Sequence, residues 1–255
     1  MKKAISYLLI FLGIQLLAGA IVTMAWNFFS GTTDESPGRL ITTSVVVSCI
    51  TIAVFLLTRW TAVSPTWLRT RQWDVMVWSS VAAFGAIIPS MWIQELMPPL
   101  PNIVEQEFDT ILRNRWGYLA IGLLAPLSEE IVFRGAILRK MLDSPQMKPY
   151  TAIAVSAAMF ALMHLNPAQL PHAFLIGLLL GWMYWRTGSI LPGMVYHFVN
   201  NSIAYVTYNL YPDPDITLTD FFGNNSRVLM AVAFSILILL PAIYQLHLRM
   251  RRADE

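Results

Sequence analysis

The residues able to do chemistry fall within one stretch of the chain. Glu129 and Glu130 are adjacent, Arg134 follows four residues after Glu130, and His164 and His197 come later. Each lies in an apolar run. On a helix, Glu130 and Arg134 sit one turn apart with the acid on the N-terminal side, the favourable order for an ion pair. Glu129 then points about 100° away from Glu130. Arg134 is therefore expected to neutralise Glu130 and leave Glu129 facing a cavity. Phe160 precedes His164 by one turn and is placed to fix its ring. Asn201 follows His197 by one turn, shares its face and offers an amide donor. Its neighbour Asn200 is set off that face.

A carboxylate, two imidazoles and an amide in apolar surroundings suit hydrolysis of an amide or ester bond. Glu129, helped by His164, would deprotonate water, and His197 with Asn201 would hold the tetrahedral oxyanion. The same Glu129, His164 and His197 would alternatively bind zinc with an open position for water. The sequence leaves both mechanisms open. Other hydrolytic routes are excluded: there is no HExxH, no G-x-S and no mid-span aspartate. Ser128 is expected to bond a backbone carbonyl one turn back. His172, after Pro171, and His247, near Arg249, read as packing and anchoring residues. Gly177 and Gly181 form a GxxxG pattern, a signal of close helix packing. The acidic stretch Glu105–Asp109 reads as a solvated amphipathic segment.

The elements that position these groups must be membrane helices. Of 255 residues, 56% are hydrophobic and 13% charged, against about 25% charged in an ordinary soluble domain. That excludes a soluble globular enzyme and a disordered chain. A net charge of +2 gives no reason to expect nucleic acid as a partner. One cysteine, Cys49, allows neither an internal disulfide nor a zinc–cysteine framework.

At ~20 residues per span the chain has room for about eight. The apolar stretches are Ala4–Phe28, Leu40–Thr58, Asp74–Met97, Trp116–Leu142, Tyr150–Leu165, Gln169–Trp185, Ile190–Tyr211 and Val228–His247. The expected fold is all-α: a polytopic bundle of about eight transmembrane helices forming one domain over residues 1–255. Within it, 1–115 supply accessory helices, 116–210 the core carrying the polar set, and 211–255 the last helix and a basic tail. Pro126 is expected to kink the fourth span. Helix rise alone leaves Glu129 and His164 about 10 Å apart in depth, a gap that a kink or tilt must close.

Loop charges orient the chain. With the N-terminus inside, the inner loops hold twelve bases: Lys2, Lys3, Arg59, Arg69, Arg71, Arg139, Lys140, Lys148, Arg186, Arg249, Arg251 and Arg252. The outer ones hold four, Arg39, Arg113, Arg115 and Arg227. Nine acids, Asp215 among them, fall outside. The bias places both termini in the cytoplasm. Glu129, Glu130, Arg134, His164 and His197 then remain within the bilayer, where ionisable groups mark function by default.

These residues resemble a known family. Glu129-Glu130-Ile131-Val132-Phe133-Arg134 resembles the EExxxR motif of the CAAX-protease and bacteriocin-processing family of intramembrane proteases. Phe160 to His164 resembles its FxxxH motif. The stretch Arg186 to Asn201 resembles its third, ending in HxxxN. The resemblance covers about residues 116–208. It implies an eight-helix fold like that of the Ras-converting CAAX endopeptidases, with an active site inside the membrane that cleaves peptide bonds. By position, Glu129 matches the catalytic glutamate, His164 its partner, and His197 with Asn201 the remaining polar pair. Glu130 and Arg134 match the supporting pair. The family is described both as metalloproteases and as glutamate-dependent proteases, which keeps zinc open as a cofactor.

The expected partners are a peptide or membrane-protein substrate and the lipid bilayer, in a bacterial inner membrane. Two rival readings remain. A membrane scaffold would use the same fold to regulate a partner without cutting it. A proton-coupled transporter would use the Glu and His residues as a relay.

Overall fold

In the computed structural model, residues 1–61, 73–211, 213 and 216–251 are described. Arg69, Arg71, Arg252 and Asp215, assigned to loops above, lie outside the described residues. Among the described residues every regular element is helical. The first three are α1 (Lys2–Ser30), α2 (Pro37–Leu57) and α3 (Trp73–Glu95), followed by a short α4 (Glu105–Leu112). A composite helix comes next: π-helical Tyr118–Leu124 (π1), α5 (Ala125–Glu130), π-helical Ile131–Leu138 (π2) and α6 (Arg139–Leu142). Then follow α7 (Pro149–Leu162), α8 (Leu170–Thr187), α9 (Leu191–Leu210), a short α10 (Leu218–Phe222) and α11 (Asn225–Arg249).

Local sequence sets these boundaries. Pro37, Pro149, Pro171 and Pro192 occupy first turns, where a missing N–H breaks no helical bond. Ser36 and Asn224 cap α2 and α11 by accepting from the N–H groups of Arg39 and Arg227. α1 and α8 stop at Gly31 and Gly188, with φ of 70° and 67°, the left-handed conformation that glycine enters without a Cβ clash.

Among the described residues four helices, α1, α2, α3 and α11, are long and apolar enough to cross a membrane. They mark an integral membrane protein, and their number corrects the expectation of about eight such spans. α7 is apolar but has 14 residues. α8 and α9 have 18 and 20 residues but carry Pro171, His172 and Arg186, or Pro192, His197, Asn200 and Asn201. The fourth expected span is broken into π and α segments. A helix that faces lipid must be long and uniformly apolar. One wrapped by other helices need not be, because its neighbours satisfy its polar groups.

Pro126 explains part of the break. In the π register a carbonyl accepts from the N–H five residues on, as Ala120 does from Ala125. Ile121 would accept from residue 126, and Pro126 has no N–H. The amide of Asn201 serves that carbonyl instead, Nδ2 donating at 3.1 Å. The connection after α2 and helix α7 brace π2. Thr61 Oγ1 donates to the Ile131 carbonyl at 2.6 Å, and Ser156 Oγ donates to that of Phe133 at 3.3 Å. A Cβ on Gly135 would stand 2.3 Å from Thr61 Cγ2, so that approach requires glycine.

The GxxxG pattern on α8 meets α7. A Cβ on Gly177 would lie 2.9 Å from Ala157, and one on Gly181 3.0 Å from Ile153. The helix ends sort onto two faces. On the face carrying both termini, Arg249 pairs with Asp74 at 3.0 Å and Arg139 donates to the Trp60 carbonyl at 2.8 Å. On the opposite face, Glu95 accepts from the Leu218 N–H at 2.6 Å, Asn166 donates to Asn102 at 2.8 Å, and Asn209 donates to the Leu112 carbonyl at 3.0 Å.

Candidate active site

The site is assembled from α5, π2, α7 and α9. Arg134 Nη1 donates to Glu130 Oε1 at 2.7 Å, with both side chains fully enclosed. Arg134 Nη2 reaches the Gly177 carbonyl at 3.4 Å, and the guanidinium lies over the Phe160 ring, 4.5 Å from its centroid. Glu130 Oε2 has no hydrogen-bond partner among the described residues and rests against Gly193, where a Cβ would lie 2.9 Å away. Ser128 donates to the Ala125 carbonyl at 3.0 Å, occupied as a backbone partner.

His197 stands between the two glutamates. Its Nδ1 is 3.3 Å from Glu130 Oε1 and its Nε2 is 3.6 Å from Glu129 Oε2. A ring flanked by two carboxylates donates from both nitrogens in its protonated form.

Phe160 is the hub of the aromatic packing. His164 and His197 both meet its ring edge to face, at 4.9 Å and 5.8 Å between centroids. His164 lies just past the end of α7, and the next residue, Leu165, turns the chain at φ 52°, a conformation uncommon for a bulky side chain. His164 Nδ1 lies 3.0 Å from the Phe160 carbonyl. A carbonyl only accepts, so Nδ1 carries the hydrogen and Nε2 keeps a lone pair.

Glu129, His164, His197 and Asn201 line one cavity of about 460 Å³, together with Asn200 and His172. Glu129 keeps 22% of its side chain exposed there, whereas Glu130 has none. A smaller cavity, about 220 Å³, lies against α1 at Phe11 and Gln15 and shares Glu129, Phe160 and His164 with the first. Glu129 and His164 line both cavities despite the depth gap expected from helix rise. A π segment advances less per residue than an α-helix, which raises Glu129 toward the end of α7.

The structure thus brings Glu129 and His197 together and places His164 on the same cavity wall. Asn201 lines the cavity too, but one amide hydrogen is committed to Ile121. Asn200 and His172 were set aside in the sequence reading and do reach the cavity. Three residues past His197 is only ~60° around an α-helix, a signal that favours Asn200. His172 shares a helical face with Ile176, which also lines the cavity, and its Nδ1 meets Ser90 Oγ.

Among the described residues, no three of the His, Cys, Asp and Glu side chains gather closely enough to hold a metal ion. The Glu129, His164 and His197 donors as placed do not form the three-ligand set that catalytic zinc takes.

Residues 112–203 match a protein-family model described as type II CAAX prenyl endopeptidase, Rce1-like. The match takes in Glu129, Glu130, Arg134, Phe160, His164, His197 and Asn201 and spans less than half of the chain. Comparison with curated proteins and with solved structures finds no match.

Proposed function

We propose that the chain is an intramembrane endopeptidase of the CAAX type, cutting peptide bonds of a peptide or membrane-protein substrate. The observation that supports this best is the unequal pair of glutamates. Glu130 is spent on Arg134 and His197, while Glu129 faces a cavity bounded by three imidazoles and three amides.

Glu129 takes a proton from water, and the His164 Nε2 lone pair holds the second water hydrogen. The water oxygen bonds to the scissile carbonyl carbon. The negative charge that develops on the carbonyl oxygen is met by the His197 Nε2–H and the one remaining amide hydrogen of Asn201. Glu129 then returns its proton to the amine nitrogen as the C–N bond breaks. Glu130 holds His197 through Nδ1, which keeps Nε2 aimed at Glu129. Phe160 fixes both imidazole rings, and Arg134 holds the Glu130 carboxylate in place.

The test uses detergent-purified protein and a library of membrane-proteome peptides. Wild type should cleave, with chelator present, and Glu129→Gln should lose about 10²–10⁴-fold in rate, the usual contribution of a general base. Cleavage unchanged in Glu129→Gln would overturn the reading, and loss of cleavage on chelation would overturn the metal-free mechanism.

A further inference from the structure

The side of the membrane on which the cavity opens determines which substrates can reach it, and the structure carries that information. The larger cavity is lined by Ser44 at the starting end of α2, Ile111 on α4, Ile121 near the start of π1, Gln169 before α8 and Tyr208 near the end of α9. All of these elements meet at one face, the face away from both termini. The contacts joining Asn209 to Leu112 and Tyr205 to the Asn114 carbonyl belong to the same rim. No described lining residue comes from the connections on the terminal-bearing face.

Charge separates the two faces. Among the described residues, the terminal-bearing face carries Lys2, Lys3, Arg59, Arg139, Lys140, Lys148, Arg186, Arg249 and Arg251. The cavity face carries four bases, Arg39, Arg113, Arg115 and Arg227, against eight acids. Lysine and arginine are retained on the cytoplasmic side. The cavity therefore faces away from the cytoplasm.

Resting on the proteolytic reading above, we propose that the site takes substrates presented from the non-cytoplasmic side: an exported peptide, or the outer juxtamembrane segment of a membrane protein. A tail that stays in the cytoplasm has no route to Glu129 through this mouth.

The opening is tested without reference to catalysis. In a Cys49→Ala background, Ser44→Cys and Ile111→Cys report on the mouth, and Lys140→Cys reports on the opposite face. Right-side-out membrane vesicles are treated with a membrane-impermeant maleimide. Both mouth positions should label at once, and the Lys140 position only after permeabilisation. The reverse pattern overturns the proposal. The substrate class is tested by co-expressing two single-span reporters, one with its cleavable segment exported and one with it retained in the cytoplasm. Cleavage of the exported segment, abolished by Glu129→Gln, is the expected result. Glu129-dependent cleavage of the cytoplasmic segment overturns the proposed substrate class. Cleavage of neither, with the labelling as expected, overturns the proteolytic reading while the outward mouth stands.

Discussion

α1 and the composite helix of residues 118–142 are of similar length and solve opposite problems. α1 has 29 residues, of which Ala4, Tyr7 and Phe11 are buried. In π2 all eight residues are buried, Arg134 included. α1 needs little from its neighbours because the exposed side chains along its middle, Leu9, Leu16, Leu17, Ile21 and Met24, are apolar and its backbone bonds are internal. The composite helix gives up regular α geometry and uniform apolarity, and its neighbours supply what it lacks: Thr61, Ser156 and Asn201 for its carbonyls, His197 for its carboxylates. The candidate catalytic carboxylate sits in the helix that depends on its surroundings.

The sharpest way to break this contrast is to unpair the buried charge. Glu130→Ala leaves Arg134 enclosed without its partner and should destabilise by about 3–5 kcal/mol. Leu17→Ala on the exposed side of α1 (Leu17 is 69% exposed) should stay within about 0.5 kcal/mol. Thermal unfolding in detergent compares the two, and equal shifts would dissolve the distinction.

Adding one methyl group probes the same difference. Gly193→Ala places a Cβ against Glu130 and should lose about 1–3 kcal/mol through overpacking. Gly13→Ala in α1 meets nothing within 4 Å and should gain about 0.5–1 kcal/mol from the better helix former.

The link between Pro126 and Asn201 is open to a double-mutant cycle. Asn201→Ala strands the Ile121 carbonyl and should lose about 1–3 kcal/mol. In the Pro126→Ala background, residue 126 regains its N–H and the same change should lose less, with a coupling of at least about 0.5 kcal/mol. Zero coupling would show that Asn201 serves something else.

Least in size is an acid effect at α10, far from the site. The hydroxyl and N–H of Thr217 both donate to Asp220 and hold its carboxyl below the usual carboxylate value. This support is complete above the ordinary value of 3.8 and fades as pH falls through the lower folded one. Asp220→Asn should flatten that acid limb in a pH series of unfolding midpoints, by a small amount because the group is exposed.

Much of the site was legible because it follows α-helical spacing. The pairs Glu130–Arg134 and Phe160–His164 are each one turn apart, and helix geometry alone separates Glu129 from Glu130. What periodicity does not reveal is a change of period. The π segments were hidden because π and α helices share residue preferences, and the register shift appears only when Pro126 is matched with a donor 75 residues later, Asn201. The span count failed for a related reason. Hydropathy registers contact with lipid, and α7, α8 and α9 have exchanged much of that contact for contact with protein.

The clustering of Glu129, Glu130, Arg134 and His197 has a consequence for how the chain is made. Each charge left alone at mid-membrane costs on the order of 2.5–3.5 kcal/mol. When residues 118–142 leave the ribosome, Glu130 and Arg134 can pair within their own helix, but Glu129 cannot, since its counter-group lies on α9 and is not yet synthesised. The composite helix is therefore a poor independent insertion unit. It must wait at the edge of the translocation machinery, or keep water with it, until α9 arrives. The order of synthesis leaves the Glu129 carboxylate without its α9 neighbour, His197, until late in assembly.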